Sequence, residues 1–139
     1  MTTPLQAMRK LLKEDDRYKI EAYQFIREAL QYANENSIGF AETKSHDDGG
    51  ETATRHVSGQ QLCQACREYA VEQYGFLAKM VLGSWGIRST SDLGDLVYNL
   101  IKIGQMRKSE NDRREDFNDV FEFDSAFEPQ FELVPIDEE

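Results

Sequence analysis

Cys63 and Cys66 form a Cys-x-x-Cys within HVSGQQLCQACREYAVEQYG, residues 56–75. That spacing serves three chemistries: half of a tetrahedral zinc site, a redox dithiol, or two small apolar side chains filling a helix face. Zinc needs four ligands, and the chain's two histidines, His46 and His56, both upstream, complete the number. Their spacing fits no common finger or ribbon, and a zinc knuckle holds its cysteines in a tight turn rather than inside a helix. A redox pair sits at a helix N-terminus, where the dipole lowers the thiol pKa. Here Ser58 reads as an N-cap, Gln61 completes a capping box, and Val57 is placed to staple onto Leu62. The helix therefore starts at Gly59, and Cys63 lies past its first turn. The pair reads as core packing. His46, His56, Cys63 and Cys66 stay as weak metal candidates, and no cofactor is expected.

Other groups suggest chemistry less well. Glu115 and Asp116, like Asp15 and Asp16, are adjacent acids, and neighbours on a helix do not face each other. Asp47-Asp48-Gly49-Gly50 lacks the alternating ligands and closing Glu of a calcium loop. The glycines match no phosphate-cradling pattern. Ser58, His56 and an Asp can be written as a triad, but capping explains Ser58 better. No catalytic residue is nominated, and the protein is expected not to be an enzyme.

The chain has 139 residues, 40% of them hydrophobic and 11% aromatic, enough for one domain with its own core. No secretory signal and no membrane-length apolar run is visible, and two cysteines three apart suit a reducing, cytoplasmic setting. The net charge is −10, and it is unevenly placed. From Glu110 to Glu139 there are twelve acids against two bases, Arg113 and Arg114, so the whole excess lies there. Such a surface repels nucleic acid and favours a basic partner or simple solubility.

The apolar spacing predicts about six helices around one core, a mainly α fold. Leu5 to Glu14 opens with Pro4 in the first turn, and Tyr18 to Asn34 carries a wide apolar stripe. Residues 41–55 are polar and read as a mobile loop, at most the tip of a loose hairpin. The capped helix from Gly59 to about Gly75 should be central. Phe76 to Trp85 follows, with Phe76, Leu77, Met80 and Val81 expected inward and Trp85 as a core anchor. Asp92 to Met106 comes next, with a capping box from Ser89 to Asp92, and Ser109 with Asp112 would start the sixth, running through about Phe121.

The fourth and fifth of these, joined by GIRSTSD, form a helix-turn-helix-like pair. As a DNA reader the pair is poorly equipped. Its second helix opens on Asp92 and Asp95 and carries one base, Lys102, whereas DNA binding depends on neutralising phosphates. Nucleic acid is thus an unfavoured partner and another protein the expected one.

Five of the eight phenylalanines, Phe117, Phe121, Phe123, Phe127 and Phe131, fall among the acids of the C-terminal stretch. Such side chains do not usually face water together. Docking on the chain's own domain is expected through Phe127, with residues 128–139 an acidic extended tail. The domain thus spans 1–127. Arg88, Asp92, Phe123, Phe127 and Phe131 are the candidate partner-binding residues.

AYQFIREAL, RHVSGQQL, YGFLAKMVLGSWGIRSTSDLGDLVYNLIKIGQM and DFNDVFEFDSAF together resemble a small family of uncharacterised bacterial proteins associated with planctomycetes and verrucomicrobia. The resemblance runs from about Tyr18 to Phe127. It implies a bacterial, cytoplasmic origin and supplies no activity, cofactor or catalytic residue. The loop around Asp47 is longer than the family pattern requires, and the inclusion of FEFDSAF implies a structural role for that part of the acidic end.

Overall fold

The computed structural model describes residues 3–36, 40–41, 55–108 and 112–127, with side-chain surroundings for all of these but 40–41 and 55–56. The fold is mainly helical. Six α-helical segments occur among the described residues: α1 (Pro4–Glu14), α2 (Ile20–Glu35), α3 (Gly59–Tyr74), α4 (Ala78–Ser84), α5 (Thr90–Lys102) and a single turn, α6 (Phe123–Ala126). Two 3₁₀ turns, Gly75–Leu77 and Arg114–Phe117, complete the helical set. Two-residue strands β1 (Phe40–Ala41) and β2 (Arg55–His56) pair antiparallel, with Phe40 opposite His56. This bridge closes the base of the polar loop. Residues 42–54 of the expected mobile loop lie outside the described residues, as do Ser109 and the tail from Glu128.

Local signals fix where the helices begin. Three capping boxes form as side-chain chemistry requires: Thr3 with Gln6 before α1, Ser58 with Gln61 before α3, and Ser89 with Asp92 before α5. The third box starts α5 at Thr90, two residues earlier than the apolar pattern indicates. Gly104, at φ 79°, ends the following turn and keeps α5 from reaching Met106.

α2 lies against both α3 and α5. The core is built from Tyr23, Phe25, Ile26 and Ala29 of α2, Leu62, Cys63, Cys66 and Ala70 of α3, and Leu93, Leu96, Val97 and Leu100 of α5. Each large apolar side chain buried in this way contributes about 1.5–3 kcal/mol. Trp85 anchors the edge of the core, its ring 6.0 Å from Phe25 and 6.0 Å edge-on to Tyr74.

Two departures from the sequence reading matter below. The expected sixth helix does not form: its centre is the 3₁₀ turn Arg114–Phe117, and Asp119 at φ 50° breaks the chain direction soon after. Arg114–Phe117 instead lies across α5 and α3. Gly94 of α5 permits this, because a Cβ there would stand 2.7 Å from Phe117 Cβ and 2.6 Å from Arg114 Nη1. At the α3–α4 corner, Phe76, Leu77 and Met80 point outward, not inward. The 3₁₀ turn Gly75–Leu77 rotates the short α4 so that Ala78 and Leu82 take the buried positions.

Candidate functional site

The cysteine pair lies where packing places it. Cys63 and Cys66 are free, buried on the inner face of α3, and 0% and 1% exposed. Burial pushes the Cys63 thiol up to about 12 and holds the Cys66 thiol well above its ordinary value, so both are neutral thiols near pH 7 and poor nucleophiles. His56 is placed in β2 opposite Phe40, and His46 lies outside the described residues. Among the described residues no group of three or more His, Cys, Asp or Glu is arranged to hold a metal.

The helix-turn-helix-like pair is α4 and α5, joined through Gly86. At φ 101°, with a Cβ position 2.2 Å from Arg17 O, this turn accepts only glycine without backbone movement. A recognition helix must offer a face to the groove. From Thr90 to Ile101, α5 has no exposed residue; the first is Lys102. The helix packs against α2, α3 and the Arg114–Phe117 turn.

What covers the N-terminal half of α5 is a polar network that sequence spacing does not reveal. Arg17 donates from Nε and Nη2 to the two oxygens of Asp15, at 2.8 and 2.7 Å, and from Nη1 to Asp95 Oδ2 at 3.1 Å. Arg114 donates from Nη2 to Asp95 Oδ1 at 2.6 Å and to Ser91 O at 2.8 Å. The Tyr18 hydroxyl donates to Asp92 Oδ1 at 2.6 Å and Asp95 Oδ2 at 3.1 Å. Asn99 Nδ2 donates to Asp15 Oδ2 and to the Tyr23 hydroxyl, at 3.0 and 3.1 Å. The hydrogen bonds from Arg17 hold Asp15 well below the usual carboxylate range, while burial and then Asp92 raise the Tyr18 phenol. Each charge here is answered by a neighbour, so the cluster is a structural joint. Arg114 is one of only two bases in the acidic stretch, which was the available signal that it has an internal partner.

The nominated partner-binding residues divide. Phe123 and Phe127 are buried, 6% and 7% exposed, with ring centroids 5.0 Å apart, and they join the core. Their packing fits docking of this stretch on its own domain through Phe127. Arg67 Nε donates to Ala126 O at 3.3 Å, and Lys79 pairs with Asp124, fastening the segment to α3 and α4. Asp92 is engaged by its cap and by Tyr18: its Oδ2 accepts from the Arg88 and Ser89 amides at 2.8 and 3.1 Å. The Arg88 side chain is exposed beside a cleft of about 600 Å³ bordered by Ser89, Thr90 and Phe123. Phe131 lies outside the described residues.

Two surfaces that the sequence reading missed stand out. The first is the α3–α4 corner, where Val71, Phe76, Leu77 and Met80 are 44%, 68%, 46% and 68% exposed. The second is a cleft of about 530 Å³ between the ends of α2 and α5 and the start of α3. Helical periodicity gave no warning of the corner because it assigns an inner face without knowing how a short helix is rotated. Comparison of the chain with protein-family models, with curated proteins and with solved structures returns no match. Among the described residues no helix is long and apolar enough to cross a membrane.

Proposed function

We propose that this protein is a non-catalytic interaction module that binds another protein through the α3–α4 corner. The observation that carries the reading is the exposure of Val71, Leu77 and Met80 on adjacent turns of a chain with a net charge of −10. Neighbouring large apolar side chains on a charged surface mark association sites. Methionine is favoured there, because it fills a partner's pockets adaptably. Glu68 and Glu72, exposed on the same end of α3, suit a partner whose own apolar patch has a basic rim. The reading places the protein in the bacterial cytoplasm, supported by the family resemblance and by two free thiols. Among the described residues no geometric feature favours DNA recognition, since α5 presents no exposed residue before Lys102.

A photo-crosslinking residue at Met80, compared in cells with the same residue at Lys10 on α1, tests this. A discrete intermolecular product from position 80, absent from position 10 and lost on Leu77→Asp, is expected. Equal or absent products from the two positions would count against the corner as a contact surface.

A further inference from the structure

We infer that the cleft between α2, α3 and the C-terminal half of α5 binds a small anionic ligand with an apolar body. This inference is independent of the α3–α4 corner. The cleft volume, about 530 Å³, lies within the range of small-molecule sites, ~300–1,000 Å³. Leu30, Leu62, Val97, Ile101, Met106 and Phe117 supply an apolar lining. Around its mouth stand Arg107, Lys108 and Arg113, all exposed, and none forms an ion pair among the described residues.

Two acids, Asp112 and Asp116, share the rim. Asp116 Oδ2 is occupied by the Arg113 backbone amide, which donates to it at 3.2 Å. Favourable interaction with the end of the helix dipole accounts for Lys102 in the last turn of α5. It does not account for three cations placed beyond that turn around an apolar surface, in a protein whose overall charge is strongly negative.

A further observation points the same way. Tyr98 lines this cleft, and its hydroxyl is buried and has no hydrogen-bond partner among the described residues. A buried polar atom without a partner carries a desolvation penalty, which an acceptor on a ligand or a bound water relieves. A carboxylate or phosphate head among the three cations, with an alkyl or aryl body against Ile101 and Met106, satisfies the cleft's shape and its charge together. Among the described residues lining the cleft there is no nucleophile–base pair, so the inference is one of binding.

The test is calorimetric titration of the full chain with decanoate, decanol and decyltrimethylammonium, each below its micelle concentration. Decanoate is expected to bind at least tenfold tighter than decanol, with decyltrimethylammonium weakest. The double variant Arg107→Glu, Lys108→Glu should weaken decanoate at least tenfold and leave decanol unchanged, and both positions are exposed, so the fold should survive. Methyl resonances of Ile101 and Met106 should shift on binding while those of Val71 and Met80 stay still. The inference is overturned if decanoate gives no binding, if charge reversal leaves its affinity intact, if the cationic amphiphile binds equally well, or if the shifts centre on the α3–α4 corner.

Discussion

The two ends of α5 handle polar groups in opposite ways. At the N-terminal end, Asp92 and Asp95 meet Tyr18, Arg17 and Arg114, and each donor finds an acceptor within 3.2 Å. At the C-terminal end, among the described residues, the Tyr98 hydroxyl has no hydrogen-bond partner and Arg107 and Lys108 make no ion pair. Both ends are touched by the same short segment. Arg114 faces the first cluster, while Arg113 and Asp116 line the cleft at the second. Charges that satisfy one another hold a fold together, whereas unsatisfied ones on an apolar wall are free to recognise something else.

The contrast makes quantitative demands. Asp95→Ala should have the largest effect, because one carboxylate serves two guanidinium groups and a phenol. Chemical denaturation should show a loss of about 3 kcal/mol, moderated by the partial exposure of its partners. A loss under 1 kcal/mol would demote the network to surface decoration. Next come the two tyrosines. Tyr18→Phe removes a hydrogen bond to charged acceptors and should lose about 2 kcal/mol, whereas Tyr98→Phe deletes an unpaired hydroxyl and should be neutral or slightly stabilising. Equal losses from the two would erase the distinction.

The acid limb should show the smallest effect. Asp15 has its folded-state pKa depressed below the ordinary value of 3.8, so its stabilisation is complete above that value and disappears as pH falls below it. Denaturation midpoints measured downward from pH 5 should therefore decline less steeply in Asp15→Asn than in the parent chain.

Much of the helical framework was legible in the sequence, because capping and periodicity act over three or four residues. Ser58 with Gln61 and Ser89 with Asp92 formed the predicted boxes, and Cys63 and Cys66 proved to be interior. Phe117, though its helix did not form, was rightly expected to turn inward with Phe123 and Phe127. The interrupted segment is a 3₁₀ turn that Asp119 ends at φ 50°, and its Arg114 is tied to Asp95 and Ser91 on α5. The links from Asp15, Arg17, Tyr18 and Tyr23 to α5 span 74 to 84 positions, as in Tyr18 with Asp92 and Asp15 with Asn99, and no local pattern carries that information. The cleft was invisible for the same reason: Leu30, Leu62 and Ile101 share no neighbourhood in the chain.

The tie between the α1–α2 turn and the region of Trp85 to Asn99 bears on how the molecule is made. Lys19 donates its amide to Trp85 O at 3.1 Å, and Asp15 waits for Asn99. During synthesis the first third of the protein emerges from the ribosome long before these partners do. With α2 presenting Phe25 and Ile26 to a core whose other wall is not yet translated, early lengths of nascent chain should be protease-sensitive, and protection should arrive abruptly once α5 clears the exit tunnel.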